Sequence, residues 1–342
     1  MTQRAATDET ALARIARRLV TIPATLGLTV LACGLAPLWL PLLALHDAVR
    51  GNRWSGLRSA LALTHYAIGE TLGLVASALL TPLAWIAPDR AERASFRLQC
   101  WWARWLLGGA SRLFGLRIAA SGVDLLRDGP LLLLMRHASV IDTLLPAAIV
   151  SSRTGLQLRY VMKRELLWDP CLDVVGHRLP NAFVRRGRGG AEEEIARVRE
   201  LAQGLGPHDG VLLYPEGTRF TPARREQTIA RLAASADPKH VERARALHHV
   251  LPPRLGGALA LLDAAPNADV VIGAHTGLEG LRTLNDLWNG ALVGRTIELA
   301  FWRIPASEVP QARAEKVEWL YDQWQRVDAW LATRLAREAH AA

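Results

Sequence analysis

Cysteine is scarce: Cys33, Cys100 and Cys171 are the three in 342 residues, and none sits in a CxxC pair. That argues against a zinc site or a disulfide framework and fits a reducing compartment. No segment repeats along the chain, and no G-x-S-x-G elbow presents a nucleophilic serine. The glycines of 187–190 and 204–206 lack a nucleotide-binding context and read as turns. Charge is missing altogether from Val20 to Leu45.

What is present points to an apolar, basic chain. Half of the residues are hydrophobic and the net charge is +9. Such a balance favours a polyanionic partner: nucleic acid, an anionic membrane surface or a phosphorylated substrate. Nucleic acid is disfavoured because no strand interleaves aromatic with basic residues.

The uncharged run Val20–Leu45 is long enough to cross a bilayer core as helix, although Pro23, Pro37 and Pro41 allow a kinked or re-entrant path. Arg14, Arg17 and Arg18 precede it, and Arg50, Arg53 and Arg58 follow. A second apolar segment, from Ser59 to Ala87, is broken by His65 and Glu70. Together they predict a two-helix membrane hairpin over residues 1–89. A cleaved signal peptide is the competing reading, weakened by the second apolar run. Basic residues lie before, between and after the two runs, which a hairpin dipping into one leaflet accommodates. His65 and Glu70 are five residues apart and do not face each other, so helix packing or snorkelling is expected of them.

Residues 90–342 form the expected second unit. Leu98, Trp101, Trp102, Trp105 and Leu106 share one helical face, with Arg90, Arg93, Arg97 and Arg104 gathered on the other. That face suits a helix at the headgroup level of a membrane, with an ordinary core-packing helix as the competing reading. Strands are expected at 116–120, 130–136, 158–162, 182–185, 211–214, 269–274 and 296–304, with helical patterns between them. The fold class implied is α/β, a mostly parallel sheet flanked by helices. Residues 222–249 read as a basic, helix-prone insertion. Residues 311–337 read as a final helix burying Trp319, Leu320, Trp324, Val327 and Leu331.

The apolar strand ending in Leu134-Met135-Arg136 delivers His137 to its C-terminal end, where open α/β sheets bind ligands. Asp142 follows one turn later and can hold the imidazole as a general base for an alcohol, as in a serine triad whose serine is supplied by the substrate. The N–H groups near Ser139 are candidate oxyanion donors. Lys163, then Arg185 or Arg186, then Arg219 close the next strands, and cations gathered at one rim make a phosphate site. Lys163 and Arg164 can also be read as a solvated edge. No second shell supports a metal on His137, Asp142 and Glu216.

These residues resemble the glycerolipid acyltransferase family, which includes the 1-acylglycerol-3-phosphate acyltransferases. His137-x4-Asp142 matches its first motif, Arg186 the arginine of its second, Tyr214-Pro215-Glu216-Gly217-Thr218-Arg219 its third, and Val250-Leu251-Pro252-Pro253, loosely, its fourth. The long basic stretch between Arg219 and Pro252 is similar to the lysocardiolipin acyltransferase-like subgroup. The resemblance implies transfer of an acyl group from acyl-CoA or acyl carrier protein to a lysophospholipid hydroxyl, with no cofactor and no metal. It implies His137 as base, Asp142 as its orienting carboxylate, and Arg219, Arg186 and Lys163 on the acceptor phosphate. Glu216, Gly217 and Thr218 complete the acceptor turn. The expected partners are membrane lipids and the acyl carrier, and the expected place is a bacterial inner membrane with the catalytic domain on its cytoplasmic face.

Overall fold

The computed structural model describes residues 9–184, 191–235 and 237–341. Seven strands form one sheet: β1 (Arg117–Ser121), β2 (Leu131–Met135), β3 (Gln157–Lys163), β4 (Ala182–Val184), β5 (Asp209–Leu213), β6 (Asp269–Thr276) and β7 (Thr296–Ile304). Their order is β1-β7-β6-β2-β5-β3-β4. Every neighbouring pair is parallel except β6 with β7. All seven lie where the apolar pattern expects them, with ends shifted by one or two residues.

The central strand β2 reads Leu-Leu-Leu-Leu-Met and is buried throughout, as a strand covered on both faces must be. Leu131, Leu133 and Met135 enter one core with Phe114, Leu145 and Ile149. Leu132 and Leu134 point the other way, into a core with Leu259, Tyr321 and Trp324. The final helix, Arg313–Ala341, supplies that second core. The basic insertion forms two helices outside the sheet, Pro222–Ser235 and Pro238–Arg245.

The N-terminal region holds α1 (Ala11–Gly34), α2 (Ala36–Arg50) and α3 (Ser55–Ile86), followed by α4 (Pro88–Phe114). The uncharged run is therefore two helices, broken at Leu35. Pro37 sits at the second position of α2, where its missing N–H costs nothing but could not continue α1. Both α1 and α3 are long and apolar enough to cross a membrane. They differ in how they meet the protein: 6% of the apolar window of α1 is buried, against 33% for α3.

Helix α3 is fastened to the rest of the chain at intervals. The Ser59 hydroxyl donates to Leu287 O at 2.9 Å, and the Cys171 N–H donates to Glu70 Oε2 at 3.0 Å. Arg178 donates to Ser77 O and Thr81 Oγ1, both at 2.9 Å. Ser59 to Thr81 spans about 33 Å of helix. The first turns of α1 are tied down as well, since Arg17 and Arg18 each reach Asp173 at 3.0 Å.

The tryptophan-bearing face of α4 is a core face. Leu98, Trp102 and Leu106 are buried beside Cys171 and Val175, while Trp101 stays exposed. The helical period located this face, but the periodicity of α4 is blind to α3, which covers it. His65 stacks on Trp105 with ring centroids 4.7 Å apart and bonds Trp105 O at 2.9 Å.

Gly109 makes that contact possible. A Cβ there would lie 2.0 Å from the His65 ring. Gly109→Val is expected to lower the melting temperature in detergent by the equivalent of about 1–3 kcal/mol, and Gly109→Ala by less. An unchanged melting temperature in the valine variant would show that the two helices are not in close contact here.

Candidate active site

The C-terminal ends of β6, β2, β5 and β3 form one rim, because these neighbours are all parallel. Past β2 the Arg136 N–H still bonds Gly273 O of β6 at 3.0 Å, and His137 is the first residue to leave the sheet. The chain then turns tightly around the Asp142 side chain. Ala138 and Ser139 donate their N–H groups to Asp142 Oδ2 at 2.6 and 2.8 Å. His137 Nδ1 lies 2.9 Å from Oδ1 and 3.1 Å from Oδ2. With Nδ1 donating to a carboxylate, Nε2 is the ring nitrogen left to accept a proton. Asp142 is fully buried. Burial pushes its carboxyl upward, but the His137 charge and the hydrogen bonds from His137 and His275 prevail and hold it well below the usual carboxylate range.

The turn after β5 closes over the histidine. The Tyr214 ring packs 4.7 Å from the His137 ring, and Phe220 N–H donates to His137 O at 2.9 Å. Glu216 is 2% exposed, and both of its oxygens are taken by backbone: Oε1 accepts from His137 N–H and Oε2 from Leu251 N–H, each at 2.9 Å. Burial pushes this carboxyl up to about 8, against the pull of the Arg136 charge and of those two bonds. Glu216 thus faces the chain, joining the first, third and fourth motif segments; its bonds go to neither Arg219 nor open space. Gly217 has a φ of +68°, and a Cβ there would come within 2.6 Å of Arg254.

A cavity of about 720 Å³ opens beside this turn, walled mostly by apolar side chains. His137, Gly217 and the cations Lys163, Arg219, Arg254 and Arg282 line it. Glu216 and Thr218 are not among the lining residues. Arg219 donates to Arg282 O at 3.0 Å, which brings two guanidinium-bearing residues together at the cavity. Arg185 and Arg186 lie outside the described residues. Among the described residues, no group of three or more His, Cys, Asp or Glu side chains is placed to hold a metal ion.

One expectation is corrected here. The N–H groups of Ala138 and Ser139 are spent on Asp142, so they are not oxyanion donors. Glu216 braces the backbone through the His137 and Leu251 N–H groups. Four residues also escaped notice: Arg254, Arg282, His275 and Glu279. Arg254 stands beside the Pro252-Pro253 pair, and its N–H bonds Pro215 O at 2.8 Å. His275 is the penultimate residue of β6, at the same rim as His137. The rule that singled out His137, a histidine closing an apolar strand, applies equally to it.

Residues 117–258 match the model of the Acyltransferase family. That stretch, less than half of the chain, is similar to an acyltransferase domain. That match contains His137, Asp142, Lys163, Arg219 and Arg254 and ends before β6. The fold is also similar to the crystal structure of the 1-acyl-sn-glycerophosphate (LPA) acyltransferase PlsC from Thermotoga maritima, with a TM-score of 0.52 and 14% identity. The likeness covers 80% of this chain and 95% of that one. At that identity the likeness concerns the fold alone.

The Asp142 carboxylate makes stability depend on pH. Its folded value lies below the ordinary 3.8, so the native state keeps it ionised where the unfolded chain would protonate. The stabilisation is complete above the unfolded value and disappears as pH falls through the folded one. Asp142→Asn is expected to melt below wild type at pH 7, with the gap narrowing below about pH 5. A gap that stayed constant down to pH 3 would contradict the ionised, bonded state.

Proposed function

We propose that the protein moves a fatty acyl group from a thioester donor, acyl-CoA or acyl carrier protein, to the free hydroxyl of a lysophospholipid, with 1-acylglycerol-3-phosphate the best-matched acceptor. The observation that carries this reading is the His137–Asp142 pair opening into an apolar cavity that four cations share. An amphiphile with an acyl chain and a phosphate fits both halves of that description. Cations at the rim attract phosphate, and apolar walls bury methylenes.

In this reading His137 Nε2 takes the proton from the acceptor hydroxyl as its oxygen attacks the thioester carbonyl. Collapse of the tetrahedral intermediate expels the thiolate, which recovers the proton from His137. Asp142 keeps the imidazole in the correct tautomer and stabilises its charge. Tyr214 and Glu216 act through His137, one by packing on the ring and the other by holding its backbone. Arg219, with Arg254, Arg282 and Lys163, holds the acceptor phosphate. Arg186 remains part of the proposal on the motif match alone.

The membrane placement follows from α1 and α3. Because α3 is bonded to the domain along about 33 Å, a hairpin lodged in one leaflet satisfies both its apolar surface and its contacts. The proposal puts the domain on the cytoplasmic face of a bacterial inner membrane, the side on which thioester donors are made. A cysteine introduced into 222–249 is expected to resist an impermeant reagent in intact cells.

His137→Ala is expected to remove nearly all acyl transfer while the protein still folds, with a lowered melting temperature because buried Asp142 loses one of its partners. Retention of activity within a few-fold would overturn the mechanism. A protein that binds lysolipid but consumes no thioester even as wild type would be a lipid carrier. Arg219→Ala is expected to raise KM for the lysophospholipid and lower kcat together, because the phosphate anchor also sets the attack geometry. Arg219→Lys should recover only part, since an ammonium cannot grip phosphate with two parallel bonds. If only the donor's KM moved, Arg219 would belong to the donor site.

A further inference from the structure

Asp142 is shared by two histidines. His275 Nε2 lies 3.3 Å from Asp142 Oδ2 and 3.2 Å from Arg136 O, and the ring is completely buried. Both neighbours are acceptors, so Nε2 must carry a proton. The other nitrogen, Nδ1, is buried with no hydrogen-bond partner among the described residues. A second proton there would have no acceptor, which leaves the Nε2–H tautomer as the one that satisfies the site.

The strand end that carries His275 is itself strapped down. Arg136 Nη1 donates to His275 O at 2.6 Å and to Glu279 Oε1 at 2.6 Å, and Gly277 N–H donates to Glu279 Oε2 at 2.8 Å. Arg136 Nη2 reaches His249 O at 3.2 Å. Arg136 and His137 are consecutive, so one ion pair fixes β6 to the residue preceding the catalytic base. The charged and titratable groups around Asp142 and His275 are His137 and Arg136 from β2, Tyr214 and Glu216 from the turn after β5, and Glu279 beyond β6.

We propose that His275 is a positioning residue of the acyltransferase site: as a fixed Nε2–H donor it holds Asp142 from behind and limits how much of the carboxylate's charge falls on His137. The assignment rests on the proposed role of His137 as base. Asp142 Oδ2 receives Ala138 N–H, Ser139 N–H and His275 Nε2–H, leaving Oδ1 as the closer partner of the His137 ring. Remove the His275 donor, and the carboxylate becomes more basic and holds a protonated His137 more strongly. The base is then occupied by a proton up to a higher pH. A residue that only filled space would not change where the rate falls on the acidic side.

The experiment compares wild type, His275→Phe and His275→Gln in kcat/KM across pH, with melting temperatures as the folding control. Phe keeps a ring without a donor; Gln places an N–H near the position of Nε2. The Phe variant is expected to lose about five- to one-hundred-fold at pH 7, and to have its acidic limb moved to higher pH. The acceptor's KM should change little. Gln should bring the limb back toward wild type. An unmoved limb in a folded Phe variant, or a Gln variant no better than Phe, overturns the assignment. Imidazole nitrogen-15 spectra of the wild type in detergent, assigned with the Gln variant, give a readout that needs neither turnover nor a stable Phe variant. A proton on Nε2 and a bare Nδ1 are expected, and an Nδ1–H or doubly protonated ring refutes the proposal. If the wild type transferred no acyl group, the function would fail while the spectra still judged His275.

Discussion

The site depends on one buried carboxylate. Asp142 is out of water, so its charge must be met by donors on the chain. Two N–H groups of its own turn, the base His137 and the strand-end His275 meet it. Those bonds shape the turn between His137 and Asp142, select the histidine's tautomer and connect β2 to β6. A carboxylate held by so many donors stays ionised at neutral pH, which is the state in which it can orient and charge a base. The same bonds use up the N–H groups of Ala138 and Ser139, so neither is open to a ligand.

A second carboxylate does comparable work on the backbone. Glu216 bonds the N–H of His137 and of Leu251, so the first, third and fourth motif segments meet through one side chain. Arg254 reinforces this by donating its N–H to Pro215 and by crowding Gly217, where no side chain would fit. The Pro-Glu-Gly-Thr-Arg turn is therefore a clasp on the backbone, with Pro215, Gly217 and Arg219 lining the cavity. The clasp explains how residues so distant in sequence keep a constant geometry at a rim made of loops.

The apolar N-terminal helices show a similar economy. Helix α3 is apolar enough for lipid but carries Ser59, Glu70, Ser77 and Thr81 on one face that meets the protein, and His65 on another that meets α4. Polar groups at helical spacing on an apolar helix mark its inner face, since in lipid they would lack partners. The ionisable residues in this segment are thus structural ties, as their packing shows. Exposed large apolar side chains lie on α1, α2 and the outer side of α3, among them Leu79, Trp85 and Ile86.

The sequence by itself determined the strands, the buried centre of the sheet, the apolar N-terminal helices and the His137, Asp142 and Arg219 positions. These are legible because they rest on local regularities: period-two and period-3.6 apolar patterns, an uncharged run, and motif spacings within a few residues. Only the tertiary structure decided what lies opposite. That His275 and Arg136 meet Asp142, that Glu216 turns inward, that Arg254 and Arg282 join Arg219, and that α3 covers the tryptophan face of α4 all depend on strand order. Residues more than one hundred apart become neighbours because β6 inserts beside β2, and that order is set by how both faces of the sheet are covered, not by any local pattern.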